Sequence, residues 1–502
     1  MKISIKREQN DACIGSAERE KFGTMFKKTF RFLSMAALLV VGAIMTGCSS
    51  DDNIDNPQQP ANKDNGVTLT ATVSLDGGAG TRAITPGGTA ADPWTKTFES
   101  TNKIAVIYQN GDGTQKAESG TLTLSADGTK ATFTVSLTSP TSNSAIRYIY
   151  PASMAKTPAT TATITDDAAT IDYSGIFSSQ KGDLTSLGTN YDLAVFDGSL
   201  SGTDLPASAT LTNPLAICKF TLKKDGSSAI TSIVNSLTIS DGTNVYAVAP
   251  SGLDAIYVAM KPASGKIAFT ARTTDSKTYF KTATGTSLAA STLYTNITVG
   301  SMVELTLGKV FCSDGSVYAD ASAATTAGKT PVAKIAYLGN DAETSPTNTA
   351  FKNGLALALE DVSSTKTWCS QNSVTCLGTG HQFDSEAGAK GDMAGIDNTD
   401  ALVNNTGHTH AAASSARGYN SGTHPTGTSA WFLPSAGQWD KMAIAAGSYA
   451  DLKTNTGLQE SAHYWSSTEG GAEYAWFFDC NGGDLSDYAK DNDFQVRACL
   501  AF

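Results

Sequence analysis

The chain of 502 residues contains one long apolar run and no familiar catalytic signature. This run, Met35–Met45, is too short to span a bilayer comfortably, and because no comparable run follows we expect no later membrane crossing. The GxSxG, HExxH and Gly-rich phosphate-binding motifs are absent from the sequence. We therefore predict a binding protein that is not an enzyme and that uses no cofactor.

Positive charge is also scarce. The formal net charge is -11 for the whole chain, and it becomes -15 without residues 1–47, which carry eight Lys and Arg against four Asp and Glu. A surface this acidic repels a phosphate backbone, so we expect no nucleic-acid partner.

The N-terminal segment has the three-part layout of an export signal. Lys27, Lys28 and Arg31 precede the apolar run, and small residues lead to Cys48. The order Met-Thr-Gly-Cys resembles a lipobox, in which the cysteine thiol receives a diacylglycerol before cleavage. We predict a lipoprotein signal peptide over residues 1–47, with translation beginning at Met25, and lipidation at Cys48. The alternative is an ordinary signal peptide with an incidental cysteine.

Residues 48–65 are rich in Asp, Asn, Pro and Gln and lack apolar periodicity, which predicts a flexible acidic tether. Its acidic start resembles the surface-export signal of lipoproteins in Gram-negative anaerobes, and a plain linker is the alternative. Together with the lipid anchor, this signal implies a surface-exposed location on the cell outer membrane.

From about Gly66 to Leu307 apolar residues recur at every second position, as they do in a strand with one buried face. In TLTATVSL four apolar residues would share that face: Leu69, Ala71, Val73 and Leu75. Asp127-Gly128 and Asp241-Gly242 each separate two such runs, which favours hairpins. We therefore predict an all-β region of two β-sandwich domains, at residues 66–198 and 199–302.

This region resembles the fimbrillin-like pilins and adhesins of Gram-negative anaerobes. Beyond the lipoprotein signal, the matching features are Thr81-Arg82, Trp94, NKIAVIY, YIYP ending at Pro151, Asp192 and YVAMKP ending at Pro262. The resemblance implies assembly with other fimbrial subunits by β-strand complementation. It also implies that an arginine-specific protease cuts between Arg82 and Ala83, in a Gly-rich loop, and so opens a groove for a neighbour's strand. The alternative for Arg82 is a merely solvated arginine.

The last third, residues 303–502, is richer in Trp, His and Cys. FKNGLALALEDV, residues 351–362, predicts a short helix, and Ser435 with Gln438 forms a capping box that opens another. The order WFLPSAGQW, YWSSTE, AWFFDC and FQVRACL resembles the C-type-lectin-like fold, in the bacterial branch related to the Fibrobacter major paralogous and collagen-like-protein C-terminal domains. We predict two fimbrillin-like sandwiches followed by an α+β C-type-lectin-like domain.

Calcium-dependent sugar sites of that fold use Glu-Pro-Asn or Gln-Pro-Asp with Trp-Asn-Asp, and none of these tripeptides occurs in the sequence. The candidate ligand-binding residues are therefore aromatic and acidic: Trp465, Glu469, Trp476, Asp479 and Asp484. The competing interpretation is that the tryptophans are core residues that define the fold.

Five cysteines lie in the last third of the chain, and export permits disulfides. Cys480 and Cys499 are the candidate pair; a reactive pair, as in sulfatase-modifying enzymes of this fold, is the less favoured interpretation. The stretch from Ala401 to Ser429 resembles a long surface loop. It contains three histidines, His408, His410 and His424, but lacks a scaffold for metal ligands, so we predict no metal site.

These features together predict a cell-surface adhesin, a fimbrial tip or minor subunit, that binds a glycan or a host or bacterial surface protein through residues 303–502. A stalk pilin needs a C-terminal donor strand, and here a whole additional domain takes that place, which favours a terminal subunit. The alternative is a permanently lipid-anchored glycan-binding lipoprotein outside any pilus.

Overall fold

Alternating apolar residues fold into β-strands that make up 42% of the structure, against 17% helix, which confirms the predicted β-rich architecture. The structure, a computed structural model, describes residues 66–75, 97–224, 228–230, 234–250, 255–344, 350–378 and 380–502. The predicted lipidation and cleavage sites, Cys48, Arg82 and Ala83, lie outside the described residues. No helix within these ranges is long and apolar enough to cross a membrane.

The first seven strands form one sheet: β1 (Gly66–Leu75), β2 (Lys103–Gln109), β3 (Gln115–Leu124), β4 (Lys130–Thr138), β5 (Ala145–Tyr150), β6 (Ala194–Ser199) and β7 (Ser208–Leu211). Their order across the sheet is β6-β5-β2-β3-β4-β1-β7. The two outer strands meet, because Val195 in β6 exchanges two backbone hydrogen bonds of 2.8 Å with Thr212, directly after β7. The sheet therefore curls round and encloses its own core.

This core consists of side chains that alternate inward from all seven strands, among them Val73, Val106 and Phe133. The predicted hairpin at Asp127-Gly128 is confirmed, since this turn joins β3 to β4 and Gly128 has the positive φ of 70° that suits glycine. Because β7 follows Ser199 and pairs with β1, the first sheet continues beyond the boundary predicted at Ser199.

Between β5 and β6 lie a short 3-10 helix (Ala152–Met154) and three short helices: α1 (Asp167–Thr170), α2 (Ser174–Ser178) and α3 (Leu184–Asn190). Ile176 and Leu187 from these helices pack with Ile107 of the first sheet in a second core. Val258 and Phe269, which belong to the next sheet, lie in the same core. The two β regions therefore share buried surface.

The next eight strands form the second sheet: β8 (Ala216–Lys224), β9 (Ser228–Ala229), β10 (Val234–Ser240), β11 (Val245–Val248), β12 (Ile256–Met260), β13 (Ala263–Thr273), β14 (Thr278–Leu288) and β15 (Thr292–Glu304). Seven of them lie in the order β11-β10-β13-β14-β15-β8-β12, and β9 pairs with β8. The predicted hairpin at Asp241-Gly242 is confirmed, because it joins the antiparallel strands β10 and β11.

The remaining residues mix strands and helices. The strands are β16 (Val310–Cys312), β17 (Val317–Tyr318), β18 (Pro331–Leu338), β19 (Gly354–Ala358), β20 (Lys366–Thr367), β21 (His463–Glu469), β22 (Tyr474–Asp479), β23 (Asp484–Ala489), β24 (Asp493–Phe494) and β25 (Cys499–Ala501). The helices are α4 (Ala321–Thr326), α5 (Glu386–Ala389), α6 (Gly395–Val403), α7 (Ala411–Arg417), α8 (Ala436–Ala446) and α9 (Tyr449–Thr456), with a 3-10 helix at Tyr419–Gly422.

These strands form a five-stranded sheet (β17-β16-β18-β19-β25), a three-stranded sheet (β21-β22-β23) and the pair β20-β24. The region packs against the second sheet, where the rings of Phe280 and Phe311 lie 5.0 Å apart, edge to face. The predicted capping box is confirmed: the Gln438 N–H donates to Ser435 Oγ at 3.3 Å, and the Ser435 N–H donates to Gln438 Oε1 at 2.9 Å. The box opens α8.

Two local predictions are wrong. Instead of a helix over residues 351–362, Gly354–Ala358 forms the buried strand β19 between β18 and β25. A short apolar run fits a buried helix or a central strand equally well, so the neighbouring strands decide its structure. The stretch 401–429 is not one long loop either, because it contains the end of α6, all of α7 and the second 3-10 helix.

Candidate functional site

β1 is an interior strand of the first sheet, although it is the first strand of the described chain. It runs antiparallel to β4 along nine residue pairs and parallel to β7 along four. Both edges of its backbone are therefore occupied over its second half. Removing β1 would leave a gap between β4 and β7, and each of these strands would present unpaired backbone groups to that gap.

The side chains of β1 fix its register. Four of them point into the core and are 8% exposed or less: Leu69, Ala71, Val73 and Leu75. Full burial of a Leu or Val side chain stabilises by about 1.5–3 kcal/mol, so the three larger ones hold the strand by about 5–9 kcal/mol, an upper estimate. A shift of one residue would turn all four toward solvent.

The outward face of β1 is polar. The hydroxyl oxygens of Thr68 and Ser136 lie 3.1 Å apart, and those of Thr70 and Thr134 lie 3.2 Å apart. These contacts are exposed and add little to stability beside the buried face. The inward row is therefore what a replacement strand would have to reproduce.

The candidate ligand residues of the C-terminal region are mostly core residues. Trp465 and Trp476 are buried, and each indole N–H donates to a backbone carbonyl, that of Lys366 at 2.7 Å and that of Phe383 at 2.8 Å. Neither ring presents a face to solvent. The competing interpretation, that these tryptophans define the fold, accounts for their positions.

Glu469 is buried and pairs with an equally buried lysine, Lys490, at 2.5 Å. Its carboxylate also accepts hydrogen bonds of 2.8 Å from the backbone N–H groups of Cys376 and Leu377. Lys490 in turn donates to the carbonyl oxygen of Val374 at 2.7 Å. The pair ties the loop around residues 374–377 to the three-stranded sheet, so Glu469 positions this loop and does not face a ligand.

Asp479 and Asp484 flank the turn between β22 and β23, where they are register partners. Asp479 Oδ1 accepts a hydrogen bond of 2.8 Å from the Asn481 N–H and lies 3.3 Å from His463 Nε2. Asp484 is exposed. Of the five candidate residues, these two are the ones that reach the surface.

The candidate disulfide is not formed in the structure: Cys480 and Cys499 are both buried free thiols. Cys480 directly follows β22, in the turn before β23 of the three-stranded sheet, whereas Cys499 lies in β25 of the five-stranded sheet. Burial raises the pKa of Cys480 to about 12 and that of Cys499 further, which does not favour the alternative in which one is a reactive thiolate. Within the part of the chain that the structure describes, two cysteine sulfurs approach each other at 3.7 Å, those of Cys369 and Cys376.

The three histidines of the 401–429 stretch do not converge as one set. His410 is buried, and its Nδ1 lies 3.2 Å from the Trp368 carbonyl oxygen. Nδ1 of His424 lies 3.3 Å from the Thr428 hydroxyl oxygen. Burial lowers the pKa of both rings, so both are neutral near pH 7.

Sequence reasoning missed an aromatic patch formed by four rings: His463, Phe477, Tyr488 and Phe494. The Phe494 ring lies 5.7 Å from Tyr488 and 4.9 Å from both Phe477 and His463. Trp465 packs behind it at 4.4 Å. Tyr488 is 50% exposed, so the patch presents an aromatic face to solvent. The available signal was a tyrosine in the outward row of an alternating strand, β23.

Comparison with known proteins gives distant structural similarity. No family model and no curated protein match the chain. A fimbrial protein from Bacteroides ovatus is similar at 14% identity and a TM-score of 0.32, over 88% of this chain and 100% of that one. A Bacteroides uniformis protein assigned to cell adhesion is similar at 17% identity and a TM-score of 0.26, over 49% of this chain and 99% of that one. A fimbrial assembly protein from Parabacteroides distasonis is similar at 10% identity and a TM-score of 0.21, over 46% of this chain and 90% of that one. At these TM-scores the similarity alone carries no functional argument.

Proposed function

We propose that this protein is a fimbrial-type surface adhesin whose first sheet exchanges β1 for a strand of a neighbouring subunit. The observation that carries the proposal is the position of β1 between β4 and β7. Its inward row of apolar side chains fills the core of the first sheet, and the Arg82 segment follows it directly in the sequence.

Cleavage after Arg82 would cut the covalent link between β1 and the rest of the chain. The strand would then be held only by its ladder hydrogen bonds and its buried side chains. A neighbour's strand with the same alternation would satisfy the free edges of β4 and β7 and refill the apolar pockets. The incoming strand therefore makes about the same hydrogen bonds and apolar contacts as β1 did. The direction of assembly follows from which of the two strands is covalently attached to a subunit.

Residues 499–502 do not serve as a donor strand in this arrangement. β25 pairs with β19, and Leu500, Ala501 and Phe502 are fully buried. This segment pairs and packs within the C-terminal region. That supports a subunit that receives a strand from a neighbour and presents its C-terminal region outward.

The ligand surface in this proposal is the aromatic patch. An exposed tyrosine ring gives a flat apolar face for the C–H face of a sugar or for an apolar side chain. Asp484, which lies in the same outward row of β23 as Tyr488, is exposed and supplies a carboxylate for hydroxyl groups. A glycan or a surface protein is therefore the proposed partner, bound without the calcium tripeptides that the sequence lacks.

The mature N-terminus tests the assembly part of the proposal. In fimbriae sheared from cells, mass spectrometry should find Ala83 as the first residue. Arg82→Ala should leave the acylated Cys48 on the protein and abolish its incorporation into fimbriae. Lys96→Ala, in the same stretch of sequence, is the control and should change neither result.

Acylated Cys48 on the protein in assembled fimbriae would contradict strand exchange. Recovery of the acylated form in the membrane alone, with no fimbrial form, would favour the permanently anchored glycan-binding lipoprotein.

A further inference from the structure

Two cysteines and one histidine meet near the buried Glu469–Lys490 pair. Cys369 and His410 are buried and Cys376 is half-buried, and one ligand atom from each residue lies within 4.8 Å of the other two. The two Sγ atoms are 3.7 Å apart. A tetrahedral ion with metal–sulfur bonds of about 2.3 Å has an edge of about 3.8 Å between its sulfur ligands. The sulfur separation therefore matches two ligands of one tetrahedral ion, whereas a disulfide requires about 2.05 Å.

His410 presents the remaining donor. Its Nδ1, 3.2 Å from the Trp368 carbonyl oxygen, is placed to donate a hydrogen bond, which leaves the lone pair on Nε2. That Nε2 is buried and has no hydrogen-bond partner. Histidine ligands of metal ions typically donate their other N–H to a backbone carbonyl in this way. An unsatisfied buried nitrogen on a histidine that lies beside two thiols is otherwise unexplained.

The surrounding structure holds the two cysteines in place. The N–H groups of Trp368 and Cys369 donate to the Lys490 carbonyl oxygen at 2.9 and 3.1 Å, and the Cys376 N–H donates to Glu469 at 2.8 Å. Both thiols are thus anchored through the buried Glu469–Lys490 pair. His410 directly precedes α7, and both cysteines lie in the loop between β20 and α5. The hydrogen bond from Cys376 to Glu469 of β21 connects this loop to the three-stranded sheet.

We propose that Cys369, Cys376 and His410 bind one zinc-type divalent cation. Soft thiolate and imidazole donors select zinc among the common ions. Binding releases the two thiol protons to solvent, and the two thiolates balance the charge of the cation. The ion would fasten the loop around residues 369–376 to the start of α7, with its fourth position open to water or an exogenous ligand.

Cobalt substitution tests the site in the full-length chain. The reduced protein should bind one Co²⁺ per chain with a thiolate charge-transfer band and the intense visible absorption of a tetrahedral site, and Zn²⁺ should displace it. Because this readout needs no substitution, it stands even where a variant fails to fold. Absence of the thiolate band in the folded, reduced chain would overturn the proposal.

Variants then assign the ligands. Cys369→Ser, Cys376→Ser and His410→Gln should each weaken Zn²⁺ binding by more than about 100-fold, since changes around a site without loss of a ligand cost about 10–100-fold. Cys480→Ser and His424→Gln are the matched controls, and binding should be unchanged in both. Non-reducing peptide mapping of the exported protein should find no bridge between Cys369 and Cys376; a disulfide there would overturn the proposal.

Discussion

At the scale of single residues, Glu469 and Lys490 form an ion pair in the interior of the protein. Neither side chain has any exposed surface. Each group also makes hydrogen bonds to backbone atoms of the loop around residues 374–377. A buried pair of this kind contributes little when compared with apolar residues, but removing one partner leaves an uncompensated charge in the interior.

We expect Glu469→Gln to lower the free energy of unfolding by about 3–5 kcal/mol, because the amide cannot neutralise the buried ammonium of Lys490. Urea denaturation of the two proteins measures the difference. The control is Glu386→Gln, since Glu386 forms an exposed pair with Lys390 at 2.8 Å. That change should cost less than about 1 kcal/mol. Equal losses in the two variants would contradict the assigned role of Glu469.

Asp392 makes stability depend on pH. It is buried and accepts hydrogen bonds from Thr468 Oγ1 at 2.6 Å and Asn398 Nδ2 at 2.8 Å. Burial raises its pKa above the usual value, and these hydrogen bonds only partly oppose the shift. The folded protein therefore holds the proton more tightly than the unfolded chain does. The contribution to stability is greatest below the ordinary carboxyl pKa and is lost as pH rises through the raised value.

We expect the free energy of unfolding of the unmodified protein, relative to Asp392→Asn, to fall as pH rises above about 4. The variant cannot titrate at this position, so its own pH dependence lacks this component. Urea denaturation of both proteins at several pH values measures the difference between them. A difference that is constant, or that grows with pH, would refute the assignment.

At the scale of elements, β1 is an interior strand of a sheet that closes on itself. Its inner face is apolar and buried, and its outer face is polar and exposed. Neighbouring positions of β1 therefore differ in the side chain they accept: an apolar one on the inner face and a polar one on the outer face. Val73 is fully buried, whereas Thr72 lies on the opposite face of the strand and is exposed.

We expect Val73→Asp to release β1 from the first sheet once the chain is cut after Arg82, because a carboxylate cannot enter that core without a partner. Thr72→Asp is the matched control and should leave β1 bound. Size-exclusion chromatography of the cut protein, followed by mass spectrometry, reports whether the strand remains. Retention of β1 in the Val73 variant would show that the inward row does not hold it.

Local sequence patterns predicted the elements whose structure depends on near neighbours. The Asp127-Gly128 and Asp241-Gly242 turns and the Ser435 capping box each involve a few consecutive residues, and all three are confirmed. Residues 354–358 were predicted as a helix and form β19. Their structure is set by β18 and β25, and β25 lies more than a hundred residues away along the chain.

At the scale of the whole molecule, the proposed function places assembly and recognition in different parts of the chain. β1 lies in the first sheet, and the aromatic patch lies in the C-terminal region. A subunit built in this way can exchange a strand without disturbing its ligand surface. The two activities should therefore respond to different substitutions.

We expect Tyr488→Ala to weaken binding of the full-length protein to its glycan or surface-protein partner by about 5-fold or more, since an aromatic anchor at an interface contributes more than about 1 kcal/mol. Tyr474→Ala is the control, because Tyr474 is similarly exposed, at 43%, but lies outside the patch. Screening against glycans and matrix proteins, then titration calorimetry of the hits, supplies the measurement. Chelator should not change the affinity, and a parallel loss in the Tyr474 variant would place the ligand elsewhere.

The sequence by itself determined the strand-rich character of residues 66–307, the two Asp-Gly turns and which side of β1 faces inward, because a period of two and local turn chemistry need only neighbouring residues. Only the tertiary structure decided that β1 is interior, that Trp465 and Trp476 are buried, and that Cys369 and Cys376 meet His410 while Cys480 and Cys499 are free thiols. These outcomes depend on contacts between distant parts of the chain. A local pattern records that a side chain is apolar or reactive, but the packing of whole sheets and helices determines which partner it meets.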